Sequence, residues 1–352
     1  MIEIDGSQYS GSGTIVRQSV MFSALTGTPV HITNARIKRP NPGLRAQHVQ
    51  VVKAIGEVVN AKMEGVEIGS MGVTFEPGPL QTSRHYVWDI GSAGSTTMLA
   101  LAVLPVLAFG GSKASVELIG GLFQDFAPSL FHLQYVMLPL LQRMGLEAEA
   151  HMERPGYVPA GHGILSLTVK LVNRPLRSLS LEEAGPVKRI WGISLSSHLD
   201  ERRVSRRMAE SARQALGEAG FHPEIEERSD TSSLQAGAAL ALFADCGEGV
   251  RLGADQAGAL RRSAEAIGKF VTRQLLQDVK TGATLDRYAA DQIIPFAALA
   301  EGESRFRIPA ETDHVQTNAW LANTFLGAEV RVENCLLKIK GIGRFVSPGV
   351  DI

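Results

Sequence analysis

Residues 128–144 read PSLFHLQYVMLPLLQRM. Leu130, Leu133, Val136, Met137, Leu140 and Leu141 fall at helical spacing, which predicts a helix with one apolar face. Two alternating stretches follow, Leu146 to His151 and Ile164 to Leu171, and alternation marks half-buried strands. Outward from this segment the same order recurs. Gln47 to Val59 reads as a helix, followed by strands at Lys62 to Ile68 and Gly72 to Glu76. Downstream, His314 to Phe325 reads as a helix, followed by strands at Ala328 to Val332 and Cys335 to Lys340.

Each such segment has a front half. Ile2 to Asp5 and Val30 to Arg36 read as strands around the helix Thr14 to Thr26. Trp88 to Ile90, a helix from Ser95, and Ala114 to Ile119 repeat that order. The unit is βαβαββ with a period of roughly 80–90 residues. It makes a sheet covered on one face by two helices, and such units are expected to pack helix face to helix face.

The third unit is interrupted. Val187 to Ser196, Pro223 to Arg228 and Ala238 to Ala244 read as strands, and Asp200 to Ala219 as a charged helix. Ser229 to Gly237 (SDTSSLQAG) reads as a polar, mobile loop. The expected fold is α+β: three repeated βαβαββ units with a small inserted α/β domain in the third. The core is expected at 1–182 and 259–345, the insert at 183–258 and a C-terminal tail at 346–352. A helix at Ala259 to Val279 is expected to resume the third unit.

Composition limits the function classes. Of the residues, 44% are hydrophobic and 20% charged, which is globular composition. The net charge of −1 supplies no general attraction for a polyanion, so nucleic acid must be met by a local patch. Cys246 and Cys335 stand alone, which suits reduced thiols rather than a zinc cluster or a disulfide framework. The start, Met1-Ile2-Glu3-Ile4-Asp5, has no signal-peptide pattern, and the longest apolar run, Met98 to Phe109, is too short to span a bilayer. A cytoplasmic protein with no membrane partner is expected.

His314 lies in Glu311-Thr312-Asp313-His314-Val315-Gln316-Thr317-Asn318, at a predicted helix start. Free N–H groups there suit a phosphate, and the dipole favours a neutral, nucleophilic imidazole. Spacing alone equally describes a polar residue beside a Thr312 or Asp313 cap. Arg36, Lys38, Arg39 and Arg45, with Gln47 and His48, form the densest basic stretch (RIKRPNPGLRAQH). It is either a phosphate site of guanidinium forks or a solvated loop. Asp5 to Thr14 is a glycine-bearing strand-to-helix loop ahead of Arg17, and Ile90 to Thr97 is another, with Ser95 as its candidate cap. Neither is a Walker loop. Tyr288-Ala289-Ala290-Asp291-Gln292 reads as a helix end that could also stack on a base and bond a ribose. The basic helix Arg202 to Arg213 reads as a solvated face.

In order, these segments resemble the RNA 3'-terminal phosphate cyclase family. The similarity runs from Ile4 to about Gly341. It rests on Asp5-Gly6-Ser7-Gln8 with Arg17; Arg36, Arg39, Pro42-Gly43-Leu44 and Gln47-His48; and Ile90 to Ser95. It continues through Gly120-Gly121 with Ala127-Pro128; Gly156 to Gly161; Tyr288 with Ala290-Asp291-Gln292; and His314 with Thr317-Asn318.

The resemblance implies three repeats like the C-terminal domain of translation initiation factor three, plus an inserted domain. It implies ATP as cosubstrate, with Mg²⁺ or Mn²⁺, and an RNA 3'-phosphate end as partner. It also implies a covalent AMP on His314, passed to the RNA 3'-phosphate and expelled by the neighbouring 2'-hydroxyl. Pro128 and Tyr288 would then sandwich the adenine, with Asp291 and Gln292 near the nucleoside. Arg17, Arg36, Arg39, Gln47 and His48 would hold the RNA terminal phosphate or the ATP phosphates. The oligomeric state, a homodimer included, stays open, and no metal ligand is assigned.

The chain departs from the family pattern at four places. Ser10 stands where the family has a glutamate near metal and phosphates, and Leu101 where it has a glutamine. Gly161-His162-Gly163 replaces a triple glycine, and Leu122 to Phe126 is altered. Two other readings compete: a cyclase-like RNA-binding or ribosome-assembly protein, and an enzyme related to the enolpyruvyl transferases.

Overall fold

The computed structural model describes residues 1–81, 85–110 and 113–343. The expected tail at 346–352 lies outside the described residues.

The first unit runs β1 (Ile2–Asp5), α1 (Gly13–Thr26), β2 (Val30–Thr33), α2 (Ala46–Val58), β3 (Lys62–Glu64) and β4 (Val73–Glu76). Its sheet has the order β1-β2-β4-β3, with β1 and β2 parallel and the other pairs antiparallel. The second unit runs β5 (His85–Asp89), α3 (Thr96–Ala108), β6 (Ala114–Gly120), a rod over 130–143, β7 (Ala148–Arg154) and β8 (Gly163–Val169). The rod comprises α4 (Leu130–His132), a π turn (Leu133–Met137) and α5 (Leu138–Arg143). The order β5-β6-β8-β7 repeats the first sheet. In the rod the Leu138 N–H reaches back to the Leu133 carbonyl, just before Pro139, which has no N–H to give.

The third unit opens with the two-residue β9 (Ser180–Leu181). The insert follows: β10 (Arg189–Ser197), α6 (Val204–Glu218), β11 (Glu224–Asp230), β12 (Gly237–Asp245) and β13 (Arg251–Ala257), in the order β11-β10-β12-β13. Next comes α7 (Ala264–Lys280). The unit then resumes with α8 (Ala289–Gln292), α9 (Ile294–Leu299), β14 (Glu301–Arg307), α10 (Asp313–Leu326), β15 (Glu329–Glu333) and β16 (Leu336–Ile342). Its order β9-β14-β16-β15 is again that of the first sheet, with β9 and β14 parallel.

Two expectations change. The helix expected to resume the third unit starts at Ala264, and it packs on α6, β12 and β13. Its apolar face (Ile267, Val271, Leu275) is buried there, so we group it with the inserted layer, and the crossover helix of the third unit is α8–α9. The segment from Tyr288 opens a helix rather than ending one, because Asp286 accepts from the N–H groups of Tyr288 and Ala289, both at 2.9 Å.

The helices of the three repeats meet one another. α1 packs on α2, α3 and α10. All of α1 except Ala24 and Thr26 is buried, and all of α3 except Met98. A helix covered all round belongs at the centre of the core. Ser12, Ser95, Ser129 and Thr312 each cap a helix start through a side-chain oxygen, a contribution of about 1 kcal/mol apiece. This arrangement turns the starts of α1, α2, α3, α8 and α10 toward one cleft.

Candidate active site

The cleft has a volume of about 810 Å³. Arg17, Arg36, Arg39, Gln47, His48, Pro128, Tyr288, Asp291, Gln292 and His314 all line it, whereas Lys38 and Arg45 of the basic stretch do not. They come from all three repeats.

At one end lies His314, in the first turn of α10. Its Nδ1 is 3.1 Å from the Thr14 hydroxyl, to which Arg17 also donates at 3.3 Å. Burial, then the Arg17 and Arg39 guanidiniums, push its pKa down to about 4. The ring is therefore neutral near pH 7 and carries one unprotonated nitrogen. Arg17 is buried, and desolvation brings its pKa down to about 10, so it remains a cation.

The basic loop wraps around this end. Arg36 donates one guanidinium nitrogen to the carbonyls of Asn41 (2.8 Å) and Gly43 (2.6 Å), which fixes its fork. Arg39 is exposed on the same wall. His48 is buried, and its Nδ1 accepts from the Arg45 N–H at 3.1 Å. Burial, then Arg17 and Arg36, hold it neutral, with its proton on Nε2. A side chain at Gly13 would overlap that imidazole, so the start of α1 must be glycine for His48 to lie against it. Gln47 accepts from the Ser95 N–H at 3.1 Å, tying α2 to the second glycine turn.

The other end is acidic and reaches the insert. Pro128 and Tyr288 border it. Asp291 is buried beside Gln292 (3.0 Å), and burial raises its pKa to about 7, against the pull of Gln292 and Arg17. Beneath lies the buried pair of His132 and Asp286, with the imidazole Nε2 2.9 Å from both carboxylate oxygens. Burial disfavours the charged ring, but Asp286 outweighs it and raises its pKa. Asp286 also accepts from the Gly253 N–H of β13 at 2.8 Å. One carboxylate thus joins the second repeat, the insert and the start of α8.

Sequence reading missed this contribution of the insert. Asp255, Gln256, Arg262, Phe270 and Gln274 line the cleft, from β13, α7 and the turn between them. Arg262 pairs with Asp125 through two hydrogen bonds of 2.9 and 2.7 Å, fastening the insert to the altered stretch Leu122 to Phe126. The sequence signal was faint: a lone aspartate in a short strand, RLGADQA, broken by Gly253.

The departures are also located. Leu101 is buried in α3 and does not line the cleft. The Ser10 hydroxyl accepts from Thr317 at 2.8 Å and lies 3.0 Å from the Ser12 hydroxyl, so it braces the first turn of α10. The cleft carboxylates are committed: Asp125 to Arg262, Asp255 to the Ser129 N–H and Asp291 to Gln292. Among the described residues no group of three or more His, Cys, Asp or Glu is placed to hold a metal ion. A neutral hydroxyl in place of a carboxylate does not make a site for Mg²⁺ or Mn²⁺, so the donor set here does not fit a protein-held ion.

Elsewhere, Arg206, Arg207 and Arg213 of the basic helix pair with Glu210, Glu265 and Glu227 on an exposed face. Cys246 is buried, Cys335 is half-buried, and neither forms a disulfide. No helix among the described residues is long and apolar enough to cross a membrane.

A family model described as RNA 3'-terminal phosphate cyclase matches residues 8–332. The chain is 38% identical to an RNA 3'-terminal phosphate cyclase of Hyperthermus butylicus, over 97% of this chain and 98% of that protein. It is 37% identical to those of Methanopyrus kandleri (94% and 95%) and Pyrococcus furiosus (95% of each). From its first repeat to its last, the chain belongs to the RNA 3'-terminal phosphate cyclase family.

Proposed function

We propose that this chain uses ATP to convert an RNA 3'-phosphate into a 2',3'-cyclic phosphate through a covalent AMP on His314. The observation that carries the reading is a neutral imidazole at a helix start, facing a cleft walled by Arg17, Arg36 and Arg39. The Thr14 hydroxyl lies 3.1 Å from Nδ1, and with the Nδ1 proton directed at it the Nε2 lone pair is the nucleophile. That nitrogen attacks the α-phosphorus of ATP, the bond to the β-phosphate oxygen breaks, and pyrophosphate leaves. An oxygen of the RNA 3'-phosphate then displaces the histidine from phosphorus. Finally the 2'-hydroxyl attacks the activated 3'-phosphorus, loses its proton and expels AMP. The last step is intramolecular, which gives it a large advantage in effective concentration. It also confines the reaction to RNA, since DNA lacks the hydroxyl.

The side chains divide the work. Arg17, Arg36 and Arg39, with Gln47 and His48, offset the charge of the terminal phosphate and of ATP, so that two anions can approach. Pro128 and Tyr288 take the adenine between them, and Asp291 and Gln292 hold the nucleoside.

The test is self-labelling with ATP carrying label at the α-phosphate, followed by cyclisation of a 3'-phosphorylated oligoribonucleotide. Label is expected on the protein, and His314→Ala should lower it by about 10⁴-fold or more. Label persisting in the mutant rejects His314 as nucleophile. Absence of label with both Mg²⁺ and Mn²⁺ in the buffer would favour the RNA-binding, ribosome-assembly reading.

A further inference from the structure

We propose that Asp255, supplied by the insert, selects the nucleobase by accepting the 6-amino group of adenine. The proposal rests on the reading above that Pro128 and Tyr288 bound the base. Asp255 sits on β13, lines the cleft and is nine-tenths buried. One of its oxygens accepts from the Ser129 N–H at 2.9 Å, and Ser129 directly follows Pro128. Tyr288 lines the same cleft, and burial and then Asp255 push its hydroxyl pKa up. The carboxyl thus lines the same cleft as the proline and the tyrosine and is bonded to the residue after the proline.

Chemistry then separates the bases. Adenine presents N–H donors at position 6, whereas guanine and hypoxanthine present an oxygen there. An acceptor facing an acceptor leaves both groups unpaired in a desolvated slot, and such mismatches discriminate strongly. The Ser129 bond makes the prediction directional. In Asp255→Asn the amide carbonyl keeps the Ser129 N–H, which turns the amide NH₂ toward the slot. A donor then replaces an acceptor at the base edge, and the preference should move toward a 6-oxo purine.

The experiment compares ATP with inosine triphosphate, whose base differs at the 6-position edge and lacks the 2-amino group of guanine. In the wild-type protein the kcat/KM of self-labelling should favour ATP by about 100-fold or more. Asp255→Asn should shrink that ratio at least about tenfold, by lowering ATP use and raising inosine triphosphate use together. The wild-type ratio needs no variant, so misfolding of the mutant cannot hide the answer: equal use of the two nucleotides overturns the proposal. An unchanged ratio in a folded Asp255→Asn also overturns it. To separate this inference from the covalent chemistry, equilibrium binding of both nucleotides to His314→Ala is measured alongside. A binding ratio that favours ATP and falls with Asp255→Asn upholds base selection even if no covalent adduct forms. Equal binding removes it.

Discussion

The two ends of the cleft are built on opposite principles. The His314 end gathers cations: Arg17, Arg36 and Arg39 from the first repeat face one neutral imidazole from the third. Among its arginines only Arg17 is buried, and Arg39 is exposed. The Tyr288 end gathers carboxylates: Asp255, Asp286 and Asp291 are all buried, and each is held by named donors. The first end is arranged to receive charge, so removing one of its members should cost activity and little stability. The second is a joint between segments as well as a wall, so removing a member there should cost the fold.

Asp286→Ala is the sharpest way to break this contrast. It leaves His132 and the N–H groups of Gly253, Tyr288 and Ala289 without their acceptor. Loss of one member of a buried pair costs about 3–5 kcal/mol, and urea unfolding should show a drop of that size. A change under 1 kcal/mol would mean the acidic end is not a joint. Arg39→Ala should do the reverse. Stability and self-labelling at neutral pH should stay near wild type, while cyclisation of a 3'-phosphorylated oligoribonucleotide should fall by about 100-fold. Equal loss of both steps would assign Arg39 to ATP instead of RNA.

The smallest effect is a shift in pH dependence. With the His314 pKa pushed down to about 4, protonation of that ring should limit self-labelling only as the solution nears that value. Protonation removes the lone pair, so the loss lies on the acid side. Arg39→Ala removes a cation that opposes the imidazolium, so the acid limb should move upward, toward 6.5. A limb already near 6.5 in the wild type would mean that the ring is solvated when it reacts.

The same contrast explains what could be read from residues alone. The basic end is local in sequence, since Arg36 to His48 spans a single loop and helix start, and the first two repeats announce themselves by periodicity. The front of the third repeat does not: β9 is two residues long, and β14 (EGESRFR) buries only Ser304 and Phe306. Helix α7 is amphipathic, and periodicity reports that a helix covers a sheet without saying which sheet. The acidic floor was illegible because His132, Gly253 and Asp286 are distant in the chain and meet only in the folded protein. Ser10 and Leu101 read as losses in the sequence. In the fold, one braces α10 through Thr317 and the other belongs to the buried face of α3.

The order of the parts along the chain has a consequence for biosynthesis. Ribosomes release the chain N-terminus first, and domains generally form in that order. The arginine loop and its helix starts emerge early, whereas His314 follows every other residue that lines the cleft. A nascent or prematurely terminated chain therefore carries the arginines of the cleft but lacks His314, the proposed nucleophile. On the proposed chemistry, self-labelling would therefore report that the last repeat has been made and that α10 is seated on α1.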